Sequence, residues 1–215
     1  MLRNIDISDI SDGKKYSIND MARVGCSDCS GCSKCCSDMG DFIILDPYDA
    51  VRLCEGTGRN IGELLQNIIE LTVVDGIVLP GLNVRDGKCH FLDCDGRCSV
   101  HEFRPSICRM FPLGRIFENG THYFFLQKYE CPAPNKTKVQ IKKWLGEKDI
   151  SFHEKFTDLW HYFLKDTQEI IAKSDDETAK RISLTILNEF YLKPYSDGDF
   201  LGQVCERINN TMISI

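Results

Sequence analysis

Residues 26–36 read C-S-D-C-S-G-C-S-K-C-C, a stretch that places five cysteines within eleven residues. Thiols at two-residue intervals can reach a single soft metal ion or iron–sulfur cluster, because the short loops between them turn back on themselves. A hydrophobic core does not require such a density of thiols. The stretch therefore predicts a metal site, with candidate ligands Cys26, Cys29, Cys32, Cys35 and Cys36.

A second group of cysteines follows much later in the chain. It comprises Cys89, Cys94, Cys98, Cys108 and Cys131. We expect the first run to form half of one site, or of two sites, that closes when folding brings Cys89, Cys98, Cys108 and Cys131 onto it. Adjacent side chains usually diverge, so we expect Cys35 and Cys36 to serve two sites, or to supply one ligand and one neighbouring thiol.

The spacing favours an iron–sulfur cluster, and zinc is the alternative metal. A continuous C-x2-C-x2-C run is typical of [4Fe-4S] sites. Structural zinc usually takes one cysteine pair from each of two segments, and Cys94-x3-Cys98 fits that pattern as well. Arg97, Arg104 and Arg109 are candidate cofactor-binding residues, because a guanidinium can offset the charge of metal-bound thiolates and donate hydrogen bonds to sulfur. The alternative is that these arginines are exposed and pair with nearby carboxylates.

Composition is typical of an ordinary globular protein. The chain has 215 residues, of which 42% are hydrophobic and 27% are charged, and its formal net charge is −6. The acidic balance argues against nucleic acid as a partner. No apolar run approaches the roughly 20 residues that span a bilayer, so no membrane association is predicted. The first residues lack the apolar segment of a signal peptide. We therefore expect a cytoplasmic protein whose thiols stay reduced.

The pattern along the chain predicts a helix-rich α+β fold. Residues 1–135 should form an irregular cysteine-cluster domain with short β-hairpins. Residues 136–215 should form a helical C-terminal region packed on it, the two making one compact unit. Asp75-Gly76 and Asn119-Gly120 predict hairpins, and Asp86-Gly87 and Asp95-Gly96 predict further turns, because these pairs adopt positive φ readily.

Capping signals predict where several helices begin. Asp46-Pro47 predicts a helix from Tyr48 to Cys54, and Asn60 with Glu63 opens a helix that should run to about Glu70. Two further capping boxes precede the long C-terminal helices, and they are Ser151 with Glu154 and Ser174 with Glu177. A stripe of apolar residues with helical spacing, including Trp160 and Phe163, should be core.

Several motifs together resemble a known family. They are Cys29-x2-Cys32-x2-Cys35-Cys36, Cys89-His-Phe-Leu, Gly96-Arg97-Cys98, Arg104-Pro105-Ser-Ile-Cys108-Arg109-Met-Phe111-Pro112 and the later Cys131. Over about residues 20–132 the chain is similar to the CxxCxxCC cysteine-cluster family, a proposed zinc- or iron-chelating domain related to flagellin lysine N-methylase. The resemblance implies metal ligands among Cys29, Cys32, Cys35, Cys36, Cys89, Cys98, Cys108 and Cys131. Cys26 and Cys94 are additional to this pattern.

Three functions are open from the sequence. The first is an iron–sulfur protein with one or two clusters, which the spacing predicts to be [4Fe-4S]. It would act in redox chemistry, electron transfer or cluster handling with a redox or protein partner. The second, implied by the resemblance, is a metal-dependent protein lysine N-methylase-like enzyme that uses S-adenosylmethionine. The third is an interaction module stabilised by structural Zn2+. The chain carries no glycine-rich nucleotide-binding fingerprint, and whether it is an enzyme stays open.

Overall fold

The computed structural model describes residues 7–26, 32–37 and 42–214. Its α-helices are α1 (Ile7–Ile10), α2 (Pro47–Thr57), α3 (Ile61–Leu64), α4 (Ser106–Met110), α5 (Ile141–Leu145), α6 (Ile150–Ile171), α7 (Asp176–Leu187) and α8 (Phe200–Ser214). Its strands are β1 (Met21–Gly25), β2 (Phe42–Ile44), β3 (Ile69–Val74), β4 (Ile77–Arg85), β5 (Lys88–Cys89), β6 (Leu113–Glu118), β7 (Thr121–Leu126) and β8 (Thr137–Gln140). Short antiparallel strands and long helices confirm the predicted α+β class.

Two compact units divide the chain. The helical unit comprises Ile44–Leu82 together with residues 151–214. The cysteine unit comprises the described residues up to Ile43, together with Asn83–Ile150. Each unit has a hydrophobic core of its own. The predicted division into two domains at residue 135 stays a prediction.

Long amphipathic helices build the core of the helical unit. On α6, the side chains of Phe156, Trp160 and Phe163 are buried, and they lie on one face because their spacing follows the helical period. The predicted apolar stripe is therefore confirmed as core. Ile186 of α7 and Val204 of α8 are fully buried in the same cluster.

Helix α7 begins one residue later than its sequence signal indicates. The side chain of Asp175 accepts a hydrogen bond from the backbone N–H of Thr178 at 2.8 Å, so Asp175 is the N-cap. The prediction of Ser174 as the cap is wrong, because its hydroxyl instead donates to the carbonyl oxygen of Ile170 at the end of α6. A carboxylate also suits the positive end of the helix dipole.

The β3–β4 hairpin confirms the Asp75-Gly76 turn. Both residues have positive φ, 48° and 86°, and the flanking strands pair in register from Val74 opposite Ile77. The predicted capping box of Asn60 and Glu63 is also present. However, the helix it opens ends at Leu64 rather than near residue 70, because the β-branched residues that follow pair with β4 instead.

Three antiparallel pairings shape the cysteine unit. β1 pairs with β8, and β6 pairs with β7 through the predicted Asn119-Gly120 turn, in which both residues have positive φ. β5 pairs with the end of β4 through Asp86-Gly87. The buried side chains of the β-strand core include Val24 and Phe124. These short pairings position the loops that carry the cysteines.

A buried hydrogen bond of Tyr191 should make a measurable contribution to the stability of the helical unit. The Tyr191 hydroxyl donates to the carbonyl oxygen of Leu45 at 2.9 Å, and burial raises the pKa of Tyr191 well above its ordinary value. Tyr191→Phe leaves that buried carbonyl without this donor, so we expect a loss of about 1–3 kcal/mol of unfolding free energy in urea titrations. Tyr129→Phe, at a 95% exposed side chain, should lose nothing measurable. Equal stability of the two variants would contradict the estimate.

Candidate metal centre

Nine of the ten predicted cysteine ligands lie in the described part of the cysteine unit, and the tenth, Cys29, lies outside the described residues. Cys26 follows β1, Cys35 and Cys36 lie in a 3-10 turn at Lys34–Cys36, Cys89 ends β5, Cys108 lies in α4, and Cys32, Cys94, Cys98 and Cys131 lie in loops. Cys89 is buried and Cys32 and Cys94 are exposed, whereas the others are half-buried. The two sequence groups therefore share one unit.

Four of these thiols interact electrostatically with one another, and we call Cys35, Cys36, Cys89 and Cys98 the thiol cluster. The Sγ atoms of Cys35 and Cys36 are 3.9 Å apart. Cys36 also interacts electrostatically with Cys89 and Cys98, as does Cys35. The expectation that the adjacent side chains of Cys35 and Cys36 diverge is wrong for this turn.

Backbone pairing explains how distant segments supply the thiol cluster. Ser37 forms an antiparallel bridge with Lys88, which places the residues that follow the first run beside β5. Leu92 forms a second bridge with Cys98, which returns the chain toward Cys89. The sequence signals for these bridges are weak, because a single bridge depends on tertiary contacts rather than on local periodicity.

A tight turn separates Cys98 from Cys94. The Asp93 carboxylate accepts hydrogen bonds from the backbone N–H groups of Asp95 at 3.0 Å and Arg97 at 2.7 Å. Gly96 completes the predicted Asp-Gly turn with a φ of 72°. Cys98 thereby lies opposite Leu92 and contributes to the thiol cluster, whereas Cys94 is exposed within the turn.

Hydrogen bonding between the adjacent thiols separates their pKa values. The Cys36 thiol lowers the pKa of Cys35 to about 6 through its hydrogen bond, and the positive charge of Arg104 acts in the same direction. That hydrogen bond and burial raise the pKa of Cys36. Burial also raises the pKa values of Cys89 and Cys98. The two sulfurs share one hydrogen bond, in which either thiol can be the donor.

The three candidate arginines have different surroundings. Arg104 lies close enough to the thiol cluster for its charge to lower the pKa values of Cys35 and Cys98. Its Nη1 atom is 2.7 Å from Nε2 of His101. Arg97 has an exposed side chain, and the hydrogen bond it makes in the turn comes from its backbone. Its charge effect on the thiols and its lower exposure therefore distinguish Arg104 from Arg97.

Arg109 has a buried ionic partner that the sequence did not indicate. Its Nε atom is 3.2 Å from Oε1 of Glu147, and both side chains are buried. The guanidinium also donates to the carbonyl oxygens of Arg104 and Glu102. Arg109 therefore holds the backbone on either side of Phe103. Sequence reasoning missed Glu147, because it is 38 positions from Arg109 and follows no recognisable motif.

The donor set fits zinc or iron chemically. Thiolates are the ligands that zinc and iron–sulfur clusters prefer, whereas magnesium and calcium prefer oxygen. Two sulfurs bound to one tetrahedral ion, at about 2.3 Å each, stand about 3.8 Å apart. The Cys35–Cys36 separation of 3.9 Å is close to that value. Within the described ranges, no group of three or more His, Cys, Asp or Glu side chains is placed so that it could hold a metal ion.

An unsatisfied donor beside the thiols gives a second test of fit. The Nε atom of Arg104 is buried and has no hydrogen-bond acceptor among the residues that the structure describes. Leaving a buried charged donor unpaired is costly, so an additional acceptor is expected at this position. A metal-bound sulfur would provide one. Thiols and a guanidinium that acts on them are groups whose chemistry suits a thiolate metal centre.

Comparison with known protein families identifies the chain at the level of its domain. The sequence model of the CxxCxxCC family, described as a "putative zinc- or iron-chelating domain", matches residues 28–137, just over half of the chain. The chain belongs to this family, as its motifs predicted. No curated protein and no solved structure matches it. The family description and the thiol cluster together support metal binding by the cysteine unit.

Separately, none of the helices in the described ranges is both long enough and apolar enough to cross a bilayer. The cytoplasmic location, the redox or protein partner and the exclusion of nucleic acid stay predictions.

Proposed function

We propose that the cysteine unit holds an iron–sulfur cluster of the [4Fe-4S] type and acts in redox chemistry, either in electron transfer or in cluster handling. The observation that carries this proposal is the thiol cluster, in which Cys35 and Cys36 interact electrostatically with Cys89 and Cys98 of a distant segment. Iron–sulfur clusters are held by cysteine thiolates. Folding is needed to bring these thiols together, so the chain itself would define the cluster site.

In this proposal, Cys35, Cys89 and Cys98 are ligands, and Cys36 is a neighbouring thiol. On a [4Fe-4S] cluster, each thiolate binds its own iron atom, so ligand sulfurs stand farther apart than two thiolates on one ion. The 3.9 Å contact between Cys35 and Cys36 is too short for both to bind the same cluster. A fourth ligand would come from the remaining predicted cysteines, which are Cys26, Cys29, Cys32, Cys94, Cys108 and Cys131.

Structural zinc is the second candidate, and the same contact favours it. Two cysteines 3.9 Å apart match the edge of a tetrahedral zinc–thiolate site. In that case Cys35 and Cys36 both bind the ion, together with Cys89 and Cys98. The lysine methylase alternative, with S-adenosylmethionine as its cofactor, rests on the family resemblance and stays a prediction.

Metal analysis of the wild-type chain and of Cys36→Ser tests the two candidates. We expect anaerobically purified wild-type protein to contain iron and acid-labile sulfide in equal amounts, about four of each per chain, with a broad absorption band in the visible range. Cys36→Ser should retain most of that iron, since Cys36 is not a ligand in this proposal.

The alternative outcomes are distinct. Stoichiometric zinc without sulfide in the wild-type chain, and its loss in Cys36→Ser, would establish the zinc candidate instead. Iron with sulfide that disappears in Cys36→Ser would show that the ligand assignment is wrong while the cluster is right. Cys54→Ser is the control for a cysteine in the helical unit and should leave the metal content unchanged.

A further inference from the structure

Arg104 combines an anchored guanidinium with an unsatisfied donor. The residue ends the 3-10 turn at His101–Phe103 and precedes Pro105, which holds the backbone of Arg104 in an extended conformation. Nη1 is 2.7 Å from the His101 ring. The buried Nε atom of the same guanidinium has no acceptor in the described part of the chain. The His101 ring therefore holds Nη1 of the guanidinium, while Nε remains available as a donor.

Two neighbours fix the position of Arg104. Burial and the charges of Arg104 and Arg109 lower the pKa of His101, so the neutral ring can accept a hydrogen bond at Nε2 from the guanidinium. Arg109 donates to the carbonyl oxygen of Arg104 at 3.1 Å and is itself paired with Glu147. The backbone and the guanidinium are thus both constrained, which limits the entropy that Arg104 would lose on binding.

The thiols that Arg104 influences come from both segments of the thiol cluster. Its charge acts on Cys35 in the 3-10 turn and on Cys98 after the Asp93 turn. The charge of one guanidinium therefore acts on thiols of both segments. Arg97 and Arg109 lack this combination, since Arg97 is exposed and Arg109 is engaged by Glu147 and two carbonyls.

We propose that Arg104 donates its Nε–H to a metal-bound sulfur of the thiol cluster and that His101 and Arg109 are its positioning residues. This inference rests on the proposed metal centre, but it holds for iron and for zinc alike. A hydrogen bond to a metal-bound thiolate withdraws electron density from the sulfur and offsets the negative charge of the site. Arg104 would therefore help retain the metal and adjust its electronic properties.

Cobalt(II) binding to the metal-free full-length chain tests this role without requiring the native metal. Cobalt(II) accepts thiolate ligands and gives a thiolate-to-metal charge-transfer band that reports on sulfur donor strength. We expect Arg104→Gln to bind cobalt about 10–100-fold more weakly than the wild-type chain. Its charge-transfer band should move to longer wavelength, because a sulfur that loses a hydrogen bond becomes a better electron donor.

Three further variants make the result specific. Arg97→Gln removes an equal charge from an exposed position of the same unit and should match the wild-type chain in affinity and spectrum. Arg104→Lys keeps the charge but loses the planar guanidinium, so its affinity should recover in part. His101→Ala should reproduce a smaller version of the Arg104→Gln shift, because the anchor of the guanidinium is lost.

The outcomes separate this inference from the proposed function. An Arg104→Gln variant that equals Arg97→Gln in affinity and spectrum would overturn the inference. Weaker binding with an unshifted band would also overturn it, because Arg104 would then act on folding alone. Iron and sulfide analysis of the wild-type chain decides the proposed cluster independently. A shifted cobalt band together with zinc in the purified protein would support the inference and refute the iron–sulfur proposal.

Discussion

Cys98→Ser is expected to purify with less than about one tenth of the metal that the wild-type chain contains. Loss of groups that merely support metal ligands commonly lowers metal affinity by about 10–100-fold, so loss of a ligand should cost more. Cys98 is a ligand in both the iron–sulfur and the zinc proposals, since it interacts with Cys35 and Cys36 in the thiol cluster. The measurement is metal per chain after anaerobic purification.

Cys205→Ser is the matched control for this prediction. Cys205 lies in α8 of the helical unit and is half-buried, as Cys98 is in the cysteine unit. Serine at that position should leave the metal content unchanged. Equal metal content in Cys98→Ser and Cys205→Ser would remove Cys98 from the site and would require ligands from the other predicted cysteines.

Local sequence signals predicted the turns well, because they depend on backbone conformation within two or three residues. Asp75-Gly76 and Asn119-Gly120 adopt the positive φ values that tight hairpins need, and the pairs form the expected turns. The extent of α3 was not predictable in this way. The predicted helix reached about Glu70, but pairing of β3 with β4 places Ile69 and Glu70 in a strand.

The same distinction between local signals and tertiary contacts applies to the candidate metal site. Cysteine spacing predicted which residues could be ligands, because thiol density is a property of the sequence itself. Spacing could not predict the electrostatic interaction between Cys36 and Cys89, since their approach depends on the bridge between Ser37 and Lys88. The buried ion pair of Arg109 with Glu147 could not be predicted either, because the two residues are remote in the chain.

The π-helical segment at Asn188–Leu192 shows another limit of sequence periodicity. Phe190 and Tyr191 are adjacent, yet both are buried. Neighbouring residues are also buried in the regular helix that precedes it, at Ile186 and Leu187 of α7, so the apolar pattern does not indicate where the π-helical turn begins. The wider turn, closed by the N–H of Lys193 donating to the Asn188 carbonyl at 2.8 Å, accommodates both side chains. Arg207 donates to the Lys193 carbonyl at 2.9 Å and supports the end of the segment.

Phe190→Ala should therefore be among the most destabilising substitutions in the helical unit. Its ring is fully buried, with its centroid 5.0 Å from that of Trp160 and 5.1 Å from that of Phe163. Truncation removes these contacts and leaves a cavity, so we expect a loss of about 3–5 kcal/mol of unfolding free energy. Chemical denaturation followed by tryptophan fluorescence would measure it, because Trp160 is one of the packing partners.

Leu192→Ala provides the comparison within the same π-helical segment. Its side chain is 43% exposed, so truncation should change the unfolding free energy by about 0.5 kcal/mol. A loss that is equally large at both positions would mean that the segment is sensitive to any substitution, and that burial of Phe190 is not the cause. A large loss at Phe190 alone would show that the packing of this buried ring against Trp160 and Phe163 stabilises the unit.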